Sequence, residues 1–350
     1  MIWLSWRQFR VQAWVAIGGL VVVAIALAVT GPHLAHLYNT SGLASCVADN
    51  DCESAQTAFS IAVQANDAYA LLYFAGIAIL YLAPVVIGMF WGAPLVARDL
   101  EAGTFRLTWT QSVTRPRWLA AKLGVVGLAA VLAAGLLSLA VTWWSSPIDQ
   151  ANGLPGQDQG IGFPNRFMPL VFGARDIVPI GYAAFAFALG VTVGILVRRT
   201  VPAMAVTLAV LAAVQMVVPM SVRAHYLPPA HTTTALTLAA GTQYQIGIQG
   251  NTMTVSTPVT ILGAWITSVQ TVDAAGRSFT GTAPQACLSM TNSQADCHAA
   301  INQLRLQQLV AYQPAGRYWT FQWYETAIYL TLALAIAGLC VWRIRRFRLS

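Results

Sequence analysis

Six apolar stretches decide what this chain can fold into: residues 12–30, 69–91, 123–144, 177–197, 201–222 and 324–342. Each is long enough to cross about 30 Å of hydrocarbon as a helix rising about 1.5 Å per residue, and none holds a charge deep in its centre. Hydrophobic residues make up 57% of the 350-residue chain and charged residues 9%. A soluble domain carries roughly 25% charged residues. A water-facing surface cannot be assembled from so few charges, so much of the chain faces lipid. The expected fold class is an all-α polytopic membrane protein with six transmembrane helices. Pro84 interrupts the second run, which a membrane helix tolerates when neighbours satisfy the freed carbonyl.

The formal net charge of +7 raises nucleic acid as a partner. The basic residues, however, cluster at the ends of the apolar runs and form no aromatic-basic stripe on a soluble face, so no nucleic-acid partner is expected. Six spans put both termini on one side, and Lys and Arg divide accordingly. Arg7, Arg10, Arg98, Arg106, Arg115, Arg117, Lys122, Arg198, Arg199, Arg343, Arg345, Arg346 and Arg348 share that side, opposed only by Asp99 and Glu101. The expected location is a plasma membrane, with both termini cytoplasmic and membrane lipids as the surroundings.

Two further features bear on this topology. Trp3, Trp6, Phe9 and Arg10 recur at helical spacing ahead of the first run, which reads as a short N-terminal helix lying in the interface. Arg7, Arg10, the apolar run and Ala26-Leu27-Ala28 also resemble a cleavable signal peptide. The run is longer than a usual signal core, so an uncleaved start is expected, with processing as the competing reading. Cys46 and Cys52 fall in the first outer loop, and Cys287 and Cys297 in the last. Two close pairs on the outer face suit disulfides in an oxidising compartment. A metal site is the rival, but no Cys-x-x-Cys or nearby His pair supports it. Cys340, inside the sixth run, reads as a small packing residue.

The loops are unequal. Only Arg198-Arg199-Thr200 joins the fourth and fifth runs, so these helices must be antiparallel neighbours, with Pro202 at a position the start of a helix tolerates. Residues 145–176, rich in Gly, Pro, Asn and Gln, read as irregular. Residues 223–323 are too many to lack structure. Tyr244, Ile246 and Ile248 alternate with small or polar residues, then come Gly250-Asn251, then Met253 and Val255, which is a β-hairpin signal. Residues 299–312 read as an amphipathic helix through Ile301, Leu304, Leu309 and Val310. The expected plan is a membrane domain over 1–222 with a connecting loop at about 94–120. A mixed α/β extracytoplasmic loop region follows over 223–323, and the sixth span with its basic tail occupies 324–350.

Enzymatic motifs are absent from the sequence. There is no Gly-x-x-x-x-Gly-Lys-[Ser/Thr] phosphate loop, no His-Glu-x-x-His and no Gly-x-Ser-x-Gly. His33 and His36 are three apart but read as a solvated loop pair. No catalytic residue, cofactor or metal site is expected on this chain. Such a chain moves solutes passively, uses an ion gradient, or borrows an ATPase.

The informative segment is the loop between the second and third runs: Arg98-Asp99-Leu100-Glu101-Ala102-Gly103-Thr104, then Phe105 to Val113, then Thr114-Arg115-Pro116-Arg117 and Lys122. It resembles the type-2 ABC transporter permease family. In that family an acidic residue precedes Gly-Thr, followed by an apolar stretch, a small or hydroxyl residue with Arg, and a Lys opening the third span. Glu101, Gly103-Thr104, Thr114-Arg115 and Lys122 match those positions. The family often has Pro shortly before the Arg, where this chain has Gln111-Ser112. The opening Ile2 to Arg10 looks like the start of actinobacterial six-span exporter permeases, as do Ile177 to Tyr182 and Tyr312 to Trp319. Read physically, Gly103 supplies a turn and Thr104 is a good helix N-cap, so a short helix with Phe105, Leu107 and Trp109 toward the membrane is expected.

The resemblance implies a permease that pairs with a second permease subunit, itself or a homologous chain, and docks on an ABC ATPase subunit that holds ATP and Mg. The coupling residues it implies are Arg98, Asp99, Glu101, Gly103, Thr104, Arg115 and Arg117. Export of a hydrophobic or amphipathic substrate is the implied activity. The rivals are an ion-coupled secondary transporter, which wants acids or bases near the midplane, and a polytopic sensor with a ligand-binding outer loop. Glu325 lies just inside the sixth run, after an aromatic cluster. It is expected to point inward, either as a helix-start acid favoured by the dipole or as an outer gate residue.

Overall fold

The computed structural model describes residues 2–46, 52–103, 115–154, 161–238, 244–249, 252–279, 281–282, 284–288 and 294–346. Among the described residues, six helical stretches are long and apolar enough to cross a membrane. They lie in the larger of two compact units, residues 1–226 with 318–350; the smaller unit is 227–317.

Helix α1 (Ile2–Thr40) runs without a break through the segment expected to lie separately in the interface. The reason is local: residues 2–17 contain no Gly or Pro, and the first glycine is Gly18. A short α2 (Glu53–Gln64) follows, and Cys46 is disulfide-bonded to Cys52 just before it. The second span is a continuous run of α3 (Asp67–Val86), a π-helical segment (Ile87–Gly92) and α4 (Ala93–Glu101). Asn66 caps α3 by accepting from the Ala68 N–H. The third span is α5 (Arg115–Ala151). A four-residue α6 (Pro169–Phe172) lies between it and α7 (Val178–Val197). Arg198, in the left-handed region at φ +58, and the extended Arg199 join α7 to α8 (Thr200–Val217).

Helix α7 is the centre of this unit. Fourteen of its 20 residues are buried, and it packs on α3, α4, α5, α8 and the last helix. Its small residues make this close approach work, as small residues do in membrane interfaces. A Cβ at Gly190 would stand 2.2 Å from the Gly88 carbonyl oxygen, and one at Gly194 2.4 Å from that of Ala93. A second π-helical segment (Val218–Val222) ends the fifth span at Arg223.

The smaller unit holds an antiparallel sheet of β1 (Ala230–Ala235), β5 (Gln307–Gln313) and β4 (Trp265–Val272), in the order β1-β5-β4. The expected hairpin is present as β2 (Gln245–Gln249) paired with β3 (Thr252–Ser256), Ile246 opposite Val255. The helix expected over 299–312 is corrected. The helix there is α10 (Gln294–Gln303), which follows a short α9 (Gln285–Leu288), and Leu309 and Val310 lie in β5. Pairing on both edges of β5 overrides the helical spacing. Leu236, Met253, Val255, Ile301 and Leu306 form the core of this unit, and Cys287 is bonded to Cys297.

Two crosslinks, Cys46–Cys52 and Cys287–Cys297, are expected in non-reduced peptides by mass spectrometry. Replacing Cys287 and Cys297 by Ser is expected to cost about 2–3 kcal/mol for a loop of this length, read as a lower unfolding temperature of the smaller unit. Free thiols at all four positions would overturn both bridges.

Candidate functional site

The sixth span is α11 (Tyr318–Arg346). Among the described residues of the membrane unit, polar side chains gather at the end of α4, around Glu325 and around Arg175.

Helix α4 stops at Gly103, whose φ of +68 suits the residue after a helix C-cap. Ahead of that stop, two carboxylates are committed to neighbouring helices. Asp99 pairs with the buried Lys122 of α5 at 2.5 Å, and Lys122 also donates to the Leu95 carbonyl at 3.3 Å. The Lys122 ammonium lies 4.6 Å from the Trp118 ring centre. Glu101 Oε2 accepts from the Thr200 N–H at 3.0 Å and the Thr200 hydroxyl at 2.8 Å. Thr200 begins α8, so Glu101 satisfies an amide at that helix start and complements its dipole. The end of α4 is therefore fastened to α5 by one acid and to α8 by the other. Arg98 and Arg117 are exposed. Thr104, Phe105, Leu107, Trp109 and the side chain of Arg115 lie outside the described residues.

Glu325 is fully buried. Arg223 meets it with two bonds, Nε to Oε2 and Nη2 to Oε1, both 2.8 Å. The Tyr182 hydroxyl donates to Oε1 and accepts from Arg223 Nη2 at 3.1 Å. Arg223 Nη1 donates to the Pro169 carbonyl at 2.7 Å, and its guanidinium lies 4.5 Å from the centre of the Phe172 ring. One fork-shaped cation thus ties the end of the fifth span to α6, α7 and α11. Glu325 is the eighth residue of α11. The helix-start reading loses its basis there, because the dipole effect falls off within the first turn. Three residues earlier, Gln322 Oε1 accepts from the Ile177 and Val178 N–H groups, at 3.3 and 3.2 Å, and so serves the start of α7.

A further buried pair lies near these residues in the chain. Arg175 Nε is 3.3 Å from Asp149 Oδ2, which also accepts from Ser145 at 3.2 Å. Tyr318 donates to Asp176 at 2.5 Å. Sequence reasoning named Glu325 but missed Arg223, Tyr182, Lys122 and Thr200 as its partners and those of Asp99 and Glu101. One signal was available: Arg223 and Glu325 are single opposite charges at the ends of two apolar runs on the same predicted side. Among the described residues no group of His, Cys, Asp and Glu is arranged to hold a metal.

The family described as ABC-2 membrane transporter related matches residues 17–223, which begin within the first span, run into the fifth, and include both fastenings of α4 and, at the limit, Arg223. No curated protein and no solved structure matches the chain. With more than half of its length matched, the chain belongs to the ABC-2 membrane transporter related family.

Proposed function

We propose that this chain is the transmembrane permease subunit of an ATP-driven exporter. It carries a hydrophobic or amphipathic substrate out of the cytoplasm or the inner leaflet, with both termini cytoplasmic. ATP and Mg act on a separate ATPase subunit, and a second permease subunit completes the pathway. The observation that supports this best is the family match across residues 17–223, together with a sequence that has no phosphate loop of its own. Coupling needs two global states that nucleotide biases differently. The segment after Gly103 is the contact for the ATPase, and the rigid end of α4 passes its displacement on. Through Asp99–Lys122 it moves α5, and through Glu101–Thr200 it moves α8. At its other end, the fifth span carries Arg223 and so pulls on α7 and α11.

An ion-coupled carrier is the second reading, drawn from the buried charges. Among the described residues, the buried Glu325 and the largely enclosed Asp149 each face an arginine, which favours the ATP-driven reading. Co-expression with a candidate ABC ATPase subunit separates the two. Uptake into inverted vesicles, the export direction, is expected to need ATP and to survive a protonophore; uptake that follows the proton gradient and ignores ATP would reject the proposal.

Asp99→Asn and Glu101→Gln are expected to lower ATP-driven export by roughly two- to thirtyfold, the range that residues in a coupling path give. ATPase co-purification should persist in both. Full export in both variants would remove α4 from the coupling path.

A further inference from the structure

We propose that a crevice between α7 and α11, at their Arg343 end, holds an acyl chain of an anionic phospholipid whose phosphate is bound by Arg343. The crevice has a volume of about 200 Å³. Thr192, Ile195 and Leu196 line it from α7, and Leu339, Cys340 and Arg343 from α11, with Trp342 at its edge. Its floor asks for no water. The Thr192 hydroxyl donates to the Ala188 carbonyl at 2.7 Å and lies 3.0 Å from the Cys340 sulfur. Its lips face outward: Leu196, Leu339 and Trp342 are all at least half exposed. In a membrane-spanning unit, an apolar slot opening on that surface meets lipid tails.

Charge selects the occupant. Arg343 is exposed at the mouth, and Arg198 and Arg199 are exposed directly beyond the end of α7. Arg345, Arg346 and Arg348 follow in the sequence. Basic pockets between spanning helices bind anionic headgroups, and a Trp beside the mouth suits headgroup depth. A zwitterionic lipid gains the slot but little from the arginines. An anionic lipid has the same phosphate with no headgroup cation to offset it, so its net charge gains both.

The test uses the intact chain in nanodiscs of phosphatidylcholine containing a minor fraction of phosphatidylglycerol. Lipid retained on the protein is counted by native mass spectrometry. Wild type is expected to prefer phosphatidylglycerol about fivefold over its bulk fraction, the ratio that ~1 kcal/mol for one basic residue at a membrane surface gives. Arg343→Gln is expected to return the ratio to bulk, and Arg343→Lys to keep most of it. Leu196→Trp, which fills the slot, is expected to reduce retention of both lipids. Equal preference in wild type and Arg343→Gln overturns the headgroup assignment. Retention unchanged by Leu196→Trp overturns the crevice, leaving a diffuse attraction to the basic tail. Efficient crosslinking of Cys-substituted Leu339 between two copies also overturns it, since a second chain would then cover the slot.

Discussion

An Arg223→Met variant is expected to lose about 3–5 kcal/mol of stability, the cost of leaving one partner of a buried ion pair uncompensated. Glu325 would then be a carboxylate with no cation, fully enclosed by protein, and the Pro169 carbonyl would keep only the longer bond from the Tyr81 hydroxyl, at 3.3 Å. Thermal unfolding in one detergent at one heating rate reads the effect, because such unfolding is often irreversible and rate-dependent. Glu325→Leu added to Arg223→Met is expected to recover part of the loss, since replacing both charges removes the unpaired one. A single variant as stable as wild type would mean that the pair fastens nothing. Function is read separately with Glu325→Gln, which keeps the shape and removes the charge. Reduced export with normal expression and ATPase binding assigns the pair to an outer gate. Unchanged export reduces it to a structural tie between the fifth span, α7 and α11.

Gly190→Ala is expected to sit at the top of the roughly 1–3 kcal/mol range for overpacking. The added methyl would stand 2.2 Å from the Gly88 carbonyl oxygen and 2.9 Å from the Ala93 nitrogen. Both are backbone atoms and cannot swing aside as a side chain does. Helix α7 must therefore separate from the π segment, carrying α4 with its two acids away from Lys122 and Thr200. Gly338→Ala on α11 is the control, because a Cβ there meets nothing within 4 Å. Gly190→Ala should lower both the unfolding temperature and coupled export, and Gly338→Ala neither. Equal unfolding temperatures for the two variants would show that the close approach at Gly190 does not exist.

The six spans were legible because each apolar run is matched to the hydrocarbon thickness by itself, whatever its neighbours do. The hairpin around Ile246 and Val255 was legible for a similar reason, since the alternation and the Gly-Asn pair sit within a dozen residues of sequence. Residues 307–313 misled, because Leu309 and Val310 fit a helical spacing nearly as well as a strand. Partners on both sides, β1 and β4, decided between the two. Gly103 was readable as a turn from its type alone, and its positive φ agrees.

Determined by the sequence alone, then, are the membrane class, the number of spans and the cysteines close enough to pair. All three rest on hydropathy or short spacing, which act locally along the chain. Decided only by the tertiary structure are the duties of the charged residues. Asp99 holds Lys122, Glu101 holds the start of α8, and Glu325 meets an arginine 102 positions away. A lone charge beside an apolar run announces that it needs a partner, because burying it unpaired is costly. It does not say which helix brings that partner, because helix packing sets which faces meet, and packing depends on contacts such as Gly190 against Gly88 that lie far apart in sequence.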